Sequence, residues 1–410
     1  MSPRPRTNRV TGEPHTHGGT PVVLEFRHEP GAEDAPHRDL SAVVQVGRDL
    51  WLGSDEGAAL ERLSPVGADR WGRHATIDLH AVLDLPNARD EEIDVEALAA
   101  ADGWLWVVGS HSVKRKKPRP DDAPEAQMAR LARVVREGNR HLLARLPLVP
   151  EPAAEPAGGN GAAPAAAPAD GNGAAAPDPS ARGAPSMTVV REATGAAGVS
   201  TRVAARLHGG RRSGALGAAL ADDAHLASYL AIPSKENGLD VEGLAVGGGR
   251  VWLGLRGPVL RGWAVILALT PEVDDDASDR LRLGRSGPQR RRYEKFFLDL
   301  HGLGVRELCA AGEDLLILAG PTMQLDGRAL VVRWRGALAE RGDRMVPESR
   351  LERVLELPYG HGLEESVDHP EGMTLLDDGG EPSLLVVFDT PAAYRARGQA
   401  AVTAERFPLR

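Results

Sequence analysis

The sequence predicts an all-β fold, a β-propeller of six blades (five to seven are compatible with the spacing) carrying short helical insertions. The main observation is a strand–turn–strand unit that recurs along the chain. It reads DLSAVVQVGRDLWLGSDEG from Asp39, DVEALAAADGWLWVVGSHS from Asp94 and DVEGLAVGGGRVWLGLRGP from Asp240. It returns as GVRELCAAGEDLLILAGPT from Gly304 and HPEGMTLLDDGGEPSLLVVFDTP from His369. Each copy has a short apolar run, a Gly/Asp-rich turn and a second run of Val, Leu, Ile or Trp, which is the pattern of a β-hairpin. Further apolar runs such as AVILALT after Trp263 and ALVVRWRG after Arg328 bring the unit to about four strands, the size of a propeller blade.

Spacing supports the repeat. Ser41, Glu96, Glu242, Glu307 and Glu371, aligned on the signature, are separated by 55, 146, 65 and 64 residues. The long interval contains a tract from Glu151 that is nearly all Ala, Pro, Gly, Asp and Asn, with almost nothing to bury. The remainder is about two unit lengths, enough for a degenerate sixth blade or a helical insertion. The expected organisation is a disordered tail over 1–20 and a single propeller domain over 21–410, interrupted by a low-complexity disordered insert at 151–186. Two stretches have helical spacing. One is Glu125 to Glu137, with Met128, Leu131, Ala132 and Val135 on one face; the other is Ser213 to Leu230, with Leu216, Leu220 and Leu226.

Composition narrows the function classes. Hydrophobic residues make up 42% of the chain, enough for a large core, and the net charge of −9 gives no overall basic field for nucleic acid or an anionic membrane. The single cysteine, Cys309, forms no internal disulfide, which fits a reducing compartment, and its place in an apolar strand points to packing. No signal-peptide-like run opens the sequence and no window resembles a membrane span, so a cytoplasmic location is expected. The expected partner is a small molecule or a protein, with neither nucleic acid nor membrane involved. The basic runs KRKKPRP from Lys114 and QRRRYEK before Phe296 could contact phosphates, but in an acidic chain they read more simply as solvated loops. No phosphate-binding loop, dinucleotide fingerprint, HExxH or nucleophile elbow is found.

The candidate site comes from the repeat itself. In a propeller blade the innermost strand lines the channel. Carboxylates at one point of successive units, Glu96, Glu242, Glu307 and Glu371, would therefore form a ring, with Ser41 completing it and Asp94 and Asp240 two residues earlier. Such a ring needs cations or hydrogen bonds, and calcium is the natural ion because it accepts several oxygen ligands with flexible geometry. The competing reading is that each Glu bonds to backbone amides of a neighbouring blade, since a staple must recur whereas a catalytic residue need not. The ends of the second strands vary more, and variable loops on a regular scaffold are where specific sites are built. Arg256, His111, Asp55 and Asp389 are the candidates there, with Arg306 as a further anion-binding group.

The segments NGLDVEGLAVGGGRVWLGLRGPVLRGWAVI and LHGLGVRELCAAGEDLLILAGPT resemble a bacterial family known as domain of unknown function 3616. LSAVVQVGRDLWLGSDEG and EIDVEALAAADGWLWVVGSHS extend the likeness over most of the chain. The low-complexity insert departs from the pattern. More distantly, the blades look like those of calcium-binding, phytase-like and esterase-like propellers. The resemblance implies the fold and assigns no activity. Two functions therefore stand open: a binding propeller with its ligand, ion or partner at the channel mouth, and a calcium-dependent phosphoesterase or esterase-like hydrolase. In the second, the Glu ring would hold the metal, Arg256 or Arg306 the anion, and His111 would carry the proton.

Overall fold

The computed structural model describes residues 19–27, 36–54, 57–87, 91, 93–151, 184–194, 201–209, 214–323, 325–357, 368–389, 391, 393–398 and 400–409. Most of the expected tail and insert (1–18 and 152–183) lies outside the described residues, as does Asp55. The two flanks of the insert meet: Glu151 N donates to Ser186 O at 2.9 Å, and Leu148–Pro150 pairs antiparallel with Met187–Val189.

The described strands form five antiparallel four-stranded units. Blade 1 is Leu40–Val46, Asp49–Ser54, Ala59–Gly67 and Arg70–Asp78. Blade 2 is Val95–Ala101, Trp104–Gly109, Leu143–Pro150 and Ala205–Leu207. Blade 3 is Asp240–Gly247, Arg250–Leu260, Trp263–Leu269 and Glu294–Asp299. Blade 4 is Gly304–Ala311, Asp314–Gly320, Ala329–Trp334 and Leu351–Leu357. Blade 5 is His369–Leu376, Ser383–Asp389 and Ala401–Pro408, and its outermost strand is Thr20–Glu25 from the other end of the chain.

The core has the same fivefold order. Side chains alternate between the two faces of a strand, so each blade feeds two interfaces. In blade 3, Val251, Leu253 and Leu255 pack towards blade 2 while Trp252 packs towards blade 4. In blade 4, Leu315, Ile317 and Ala319 face blade 3 while Leu316 and Leu318 face blade 5. Blades 1 and 2 share Trp51, Leu60, Leu98 and Leu105; blades 5 and 1 share Leu24, Val402, Leu40 and Leu50. Five apolar clusters between five blades close the ring. This alternation explains why the strands read as unbroken apolar runs, for both faces are covered. The sixth blade expected from the 146-residue interval is therefore not among the described residues. The outer half of blade 2, the insert and a helical segment occupy that interval.

Outer edges are covered by strands from the following blade. The hairpin Pro271–Asp274 and Ala277–Leu283 leaves blade 3 and pairs in parallel with Ala205–Leu207 of blade 2. Arg344–Val346 leaves blade 4 and pairs in parallel with Glu294–Asp299 of blade 3. Arg70–Asp78 of blade 1 pairs in parallel with Thr20–Glu25 of blade 5. Each contact satisfies backbone groups that an open edge would expose.

The helical expectations are partly corrected. The first helix is only Pro124–Leu131, because Val134–Val135 instead pairs with Lys114–Arg115. It buries no residue, and Met128 and Leu131 are 63% and 49% exposed. The second is Gly214–Leu220, which ends before Asp223, whose carboxylate accepts from His225 N and Leu226 N at 2.9 and 3.1 Å. Leu216, Leu220 and Leu226 are buried on blades 2 and 3. Asp223 in turn receives Lys295 Nζ and the Tyr293 hydroxyl, both at 2.6 Å, so this part of the QRRRYEK run anchors the helical segment.

Candidate functional site at the channel mouth

Every inner strand carries a β-bulge at the same point. The register skips Ser41 in blade 1, Glu96 in blade 2, Glu242 in blade 3, Arg306 in blade 4, and Glu371 with Gly372 in blade 5. A bulge takes a residue out of the ladder and re-aims its side chain. The ring position of blade 4 is therefore Arg306, and Glu307 stands one residue beyond it. The sequence alignment on carboxylates is corrected at this unit: the matching triplets are Val95-Glu96-Ala97, Val241-Glu242-Gly243 and Val305-Arg306-Glu307.

Being one residue on changes what Glu307 does. Its Oε1 accepts from Leu308 N at 2.7 Å and from Leu244 N of blade 3 at 3.1 Å. The side chain is fully buried, and burial, only partly offset by those two amides, pushes its carboxyl well above the usual range. Ser41 makes a comparable link, its hydroxyl donating to Val95 O of blade 2. Two units thus use a polar side chain to join neighbouring inner strands.

Around the axis, acids and guanidinium groups alternate. Arg306 Nε lies 3.1 Å from Glu242 Oε2, and Arg306 also pairs with Glu371. Arg256, from the second strand of blade 3, meets Glu242 Oε1 at 2.6 Å and Asp240 Oδ2 at 2.5 Å. Arg140 pairs with Asp94, which begins the blade 2 segment with φ +62°, and donates to Ser112 Oγ at 3.1 Å. Burial pushes Glu242 up to about 7, the nearby Arg256 and Arg306 opposing the shift and Asp240 and Asp389 adding to it. Burial also raises Asp240, against Arg256. For Arg256, burial works towards a lower value but is outweighed by Asp240, Glu242 and Glu96, and the guanidinium stays charged.

Above this layer opens a cavity of about 540 Å³, lined by Asp94, Glu96, Arg140, Asp240, Glu242, Arg256, Glu371 and Asp389 among others. Its solvent side is an arm between the second and third strands of blade 2. Lys114–Arg115 and Val134–Val135 form the base of the arm, and Lys114 to Pro118 and Leu131 line the cavity. Arg115 holds it by pairing with Glu236 and donating Nη1 to Leu131 O at 2.8 Å, and Lys114 Nζ lies 3.0 Å from Glu137. The KRKKPRP run, expected as a solvated loop, is thus part of the cavity wall. Arg140 also lay outside the candidates, because it follows the arm on a 3-10 turn at Asn139–His141 and belongs to no repeat.

The remaining candidates separate. Asp389 ends the second strand of blade 5 and lines the cavity. His111 does not. It is buried with φ +52°, donates Nε2 to Leu142 O at 3.0 Å, and burial together with His141 pushes it down to about 3. A ring so depressed stays neutral and enclosed, ill suited to carrying a proton to the mouth. Cys309 is half-buried, and burial pushes its thiol up to about 12.

The donors do not suit calcium. A calcium site needs several oxygens converging on one point. Here the Arg256 and Arg306 guanidiniums lie between the acids, and Glu307 is turned away. No group of three or more His, Cys, Asp or Glu side chains among the described residues is arranged around a common metal position.

Blades, closure and the bulged inner ring define a β-propeller with a charged cavity at one channel mouth. The family model described as "Protein of unknown function (DUF3616)" matches residues 39–170 and 180–405, and the chain belongs to that family. No curated protein matches it. Among solved structures it is similar to Myxococcus xanthus glutaminyl cyclase, with 9% identity, a TM-score of 0.33 and coverage of 96% of this chain and 100% of that one. It is also similar to the PQQ-bound aldose sugar dehydrogenase of Streptomyces coelicolor, with 11% identity, a TM-score of 0.34 and coverage of 95% and 99%. Pseudomonas fluorescens PhoX in complex with vanadate gives 10% identity and a TM-score of 0.32, with 96% of this chain and 75% of that chain covered. No helix among the described residues is long and apolar enough to cross a membrane.

Proposed function

We propose that the protein is a binding propeller that holds a small polar ligand in the cavity at its channel mouth. The observation that carries this reading is the cavity itself, about 540 Å³ in volume and walled by charged side chains from blades 2, 3 and 5 and by the Lys114 arm. Its volume lies within the range of small-molecule sites. Glu96, Glu242 and Glu371 sit on inner strands and Arg256 and Asp389 on second strands, all held by packed blades, so the ligand would meet a preorganised surface. A thermal-shift screen of the purified chain against a library of soluble metabolites tests it. At least one compound should raise the melting temperature, and Glu96→Gln and Asp389→Asn should reduce that shift. No stabilising compound, or a shift indifferent to both substitutions, would count against a mouth site.

One observation favours a hydrolytic reading. Glu242, pushed up to about 7, has the proton affinity of a general acid or base at neutral pH. In that reading Glu242 would move the proton and Arg256 would hold an anionic ester. Turnover of phosphoesters or carboxylic esters by the wild type, abolished by Glu242→Gln while the fold persists, would establish it.

A further inference from the structure

We infer that the ligand of the mouth cavity is a polyol carrying a phosphate monoester, a step that rests on the cavity being a binding site. The deep wall of the cavity is charged. Arg140 and Arg256 line it and are more than nine-tenths buried. Arg140 pairs with Asp94, and Arg256 with Asp240 and Glu242, so cations and anions already alternate along the wall. Beside them stand six carboxyl groups: Asp94, Glu96, Asp240, Glu242, Glu371 and Asp389.

That surface discriminates among ligand chemistries. An apolar body would strip water from the lining carboxyl and guanidinium groups and return no hydrogen bond. A bare anion would have to approach the six carboxyl groups. A hydroxyl can do what the wall requires, because it donates one hydrogen bond and accepts others. Where guanidinium and carboxylate alternate, each hydroxyl of a polyol can accept from an arginine and donate to its neighbouring acid.

The solvent side has the opposite sign. Lys116, Lys117 and Lys235 line the cavity there, and none of the three forms an ion pair with a described residue, whereas Lys114 and Arg115 are held by Glu137 and Glu236. Three ammonium groups at one rim suit a dianionic group, and phosphate monoesters carry that charge near neutral pH. A molecule with hydroxyls at one end and phosphate at the other matches both sides.

Isothermal titration of the full chain with glycerol 3-phosphate, ribose 5-phosphate and glucose 6-phosphate tests this. Glycerol, ribose, glucose and inorganic phosphate serve as half-ligands. At least one phosphorylated probe should bind tenfold or more tightly than its unphosphorylated counterpart and than inorganic phosphate. Combined Lys116→Ala, Lys117→Ala and Lys235→Ala substitutions should weaken it at least tenfold without lowering the melting temperature, because these side chains support no described ion pair. Equal affinity for phosphorylated and free polyols, unchanged binding by the triple variant, or no binding of any of the three phosphates overturns the inference. If the metabolite screen finds a mouth ligand of other chemistry, only the polyol-phosphate assignment fails; if it finds none, the mouth site fails with it.

Discussion

Arg306 of blade 4 meets Glu242 of blade 3, Nε to Oε2 at 3.1 Å, and both residues sit at the bulge of their inner strands. Its other arm reaches Glu371 at the bulge of blade 5. One guanidinium thus spans three consecutive blades at the axis. Replacing it with Met would take the arginine from buried Glu371 and leave Glu242 with Arg256 alone, a loss on the order of 3–5 kcal/mol. Arg306→Lys, which keeps the charge but not the fork, should fall between wild type and Arg306→Met in urea unfolding.

Glu307 should behave differently, because its oxygen serves amides and burial pushes its carboxyl well above the usual range. Glu307→Gln keeps the acceptor and is expected to match or exceed wild-type stability at pH 7. Glu307→Ala strands the Leu244 and Leu308 amides and should cost about 1–3 kcal/mol in the same measurement.

Glu242 gives a pH dependence of definite sign. Burial raises it from 4.5 to about 7, so between those values the folded state holds a proton that the unfolded state has lost. Its contribution to stability is therefore greatest below pH 4.5 and declines as pH rises towards 7, with a slope of at most ~1.4 kcal/mol per pH unit. Subtracting the unfolding profile of Glu242→Gln from that of wild type should isolate this fall. A difference that rises with pH over that window would contradict it.

The glycine within the blade 5 bulge is set by the approach of the next blade. A Cβ on Gly372 would lie 2.6 Å from Val387 Cγ2 and 3.0 Å from Val43 N of blade 1. Gly372→Val is expected to destabilise by about 1–3 kcal/mol through overpacking at the seam between blades 5 and 1, measurable as a lowered unfolding midpoint.

The propeller architecture was legible because paired apolar runs and Gly/Asp turns survive in every unit. The site was legible only in part. Glu96, Glu242, Glu371, Arg256 and Asp389 were marked by repetition or by variation at strand ends, and all five line the cavity. Blade 4 misled because carboxylates were aligned on identity, while a bulge counts by register and sets Arg306 opposite Glu242. Arg140 gave no signal, and the lysines of the arm showed only as a basic run read as a solvated loop, since they belong to an excursion whose return to the mouth depends on pairing between Lys114–Arg115 and Val134–Val135. The five described blades lie within the expected range of five to seven; the long Glu96–Glu242 interval is filled by the arm, the outer strands of blade 2 and the helical segment, so interval length does not measure blades.

Blade 5 takes its outermost strand, Thr20–Glu25, from the opposite end of the chain, where it pairs with Ala401–Pro408. During synthesis that early segment must wait, unpartnered on this side, while the intervening residues emerge. Closure is therefore a late event that depends on a contact between parts of the chain made far apart in time. Removing Thr20–Glu25 would leave Ala401–Pro408 as a bare edge, able to accept the same strand from a second molecule. The join that completes one ring is also the place where two rings could exchange.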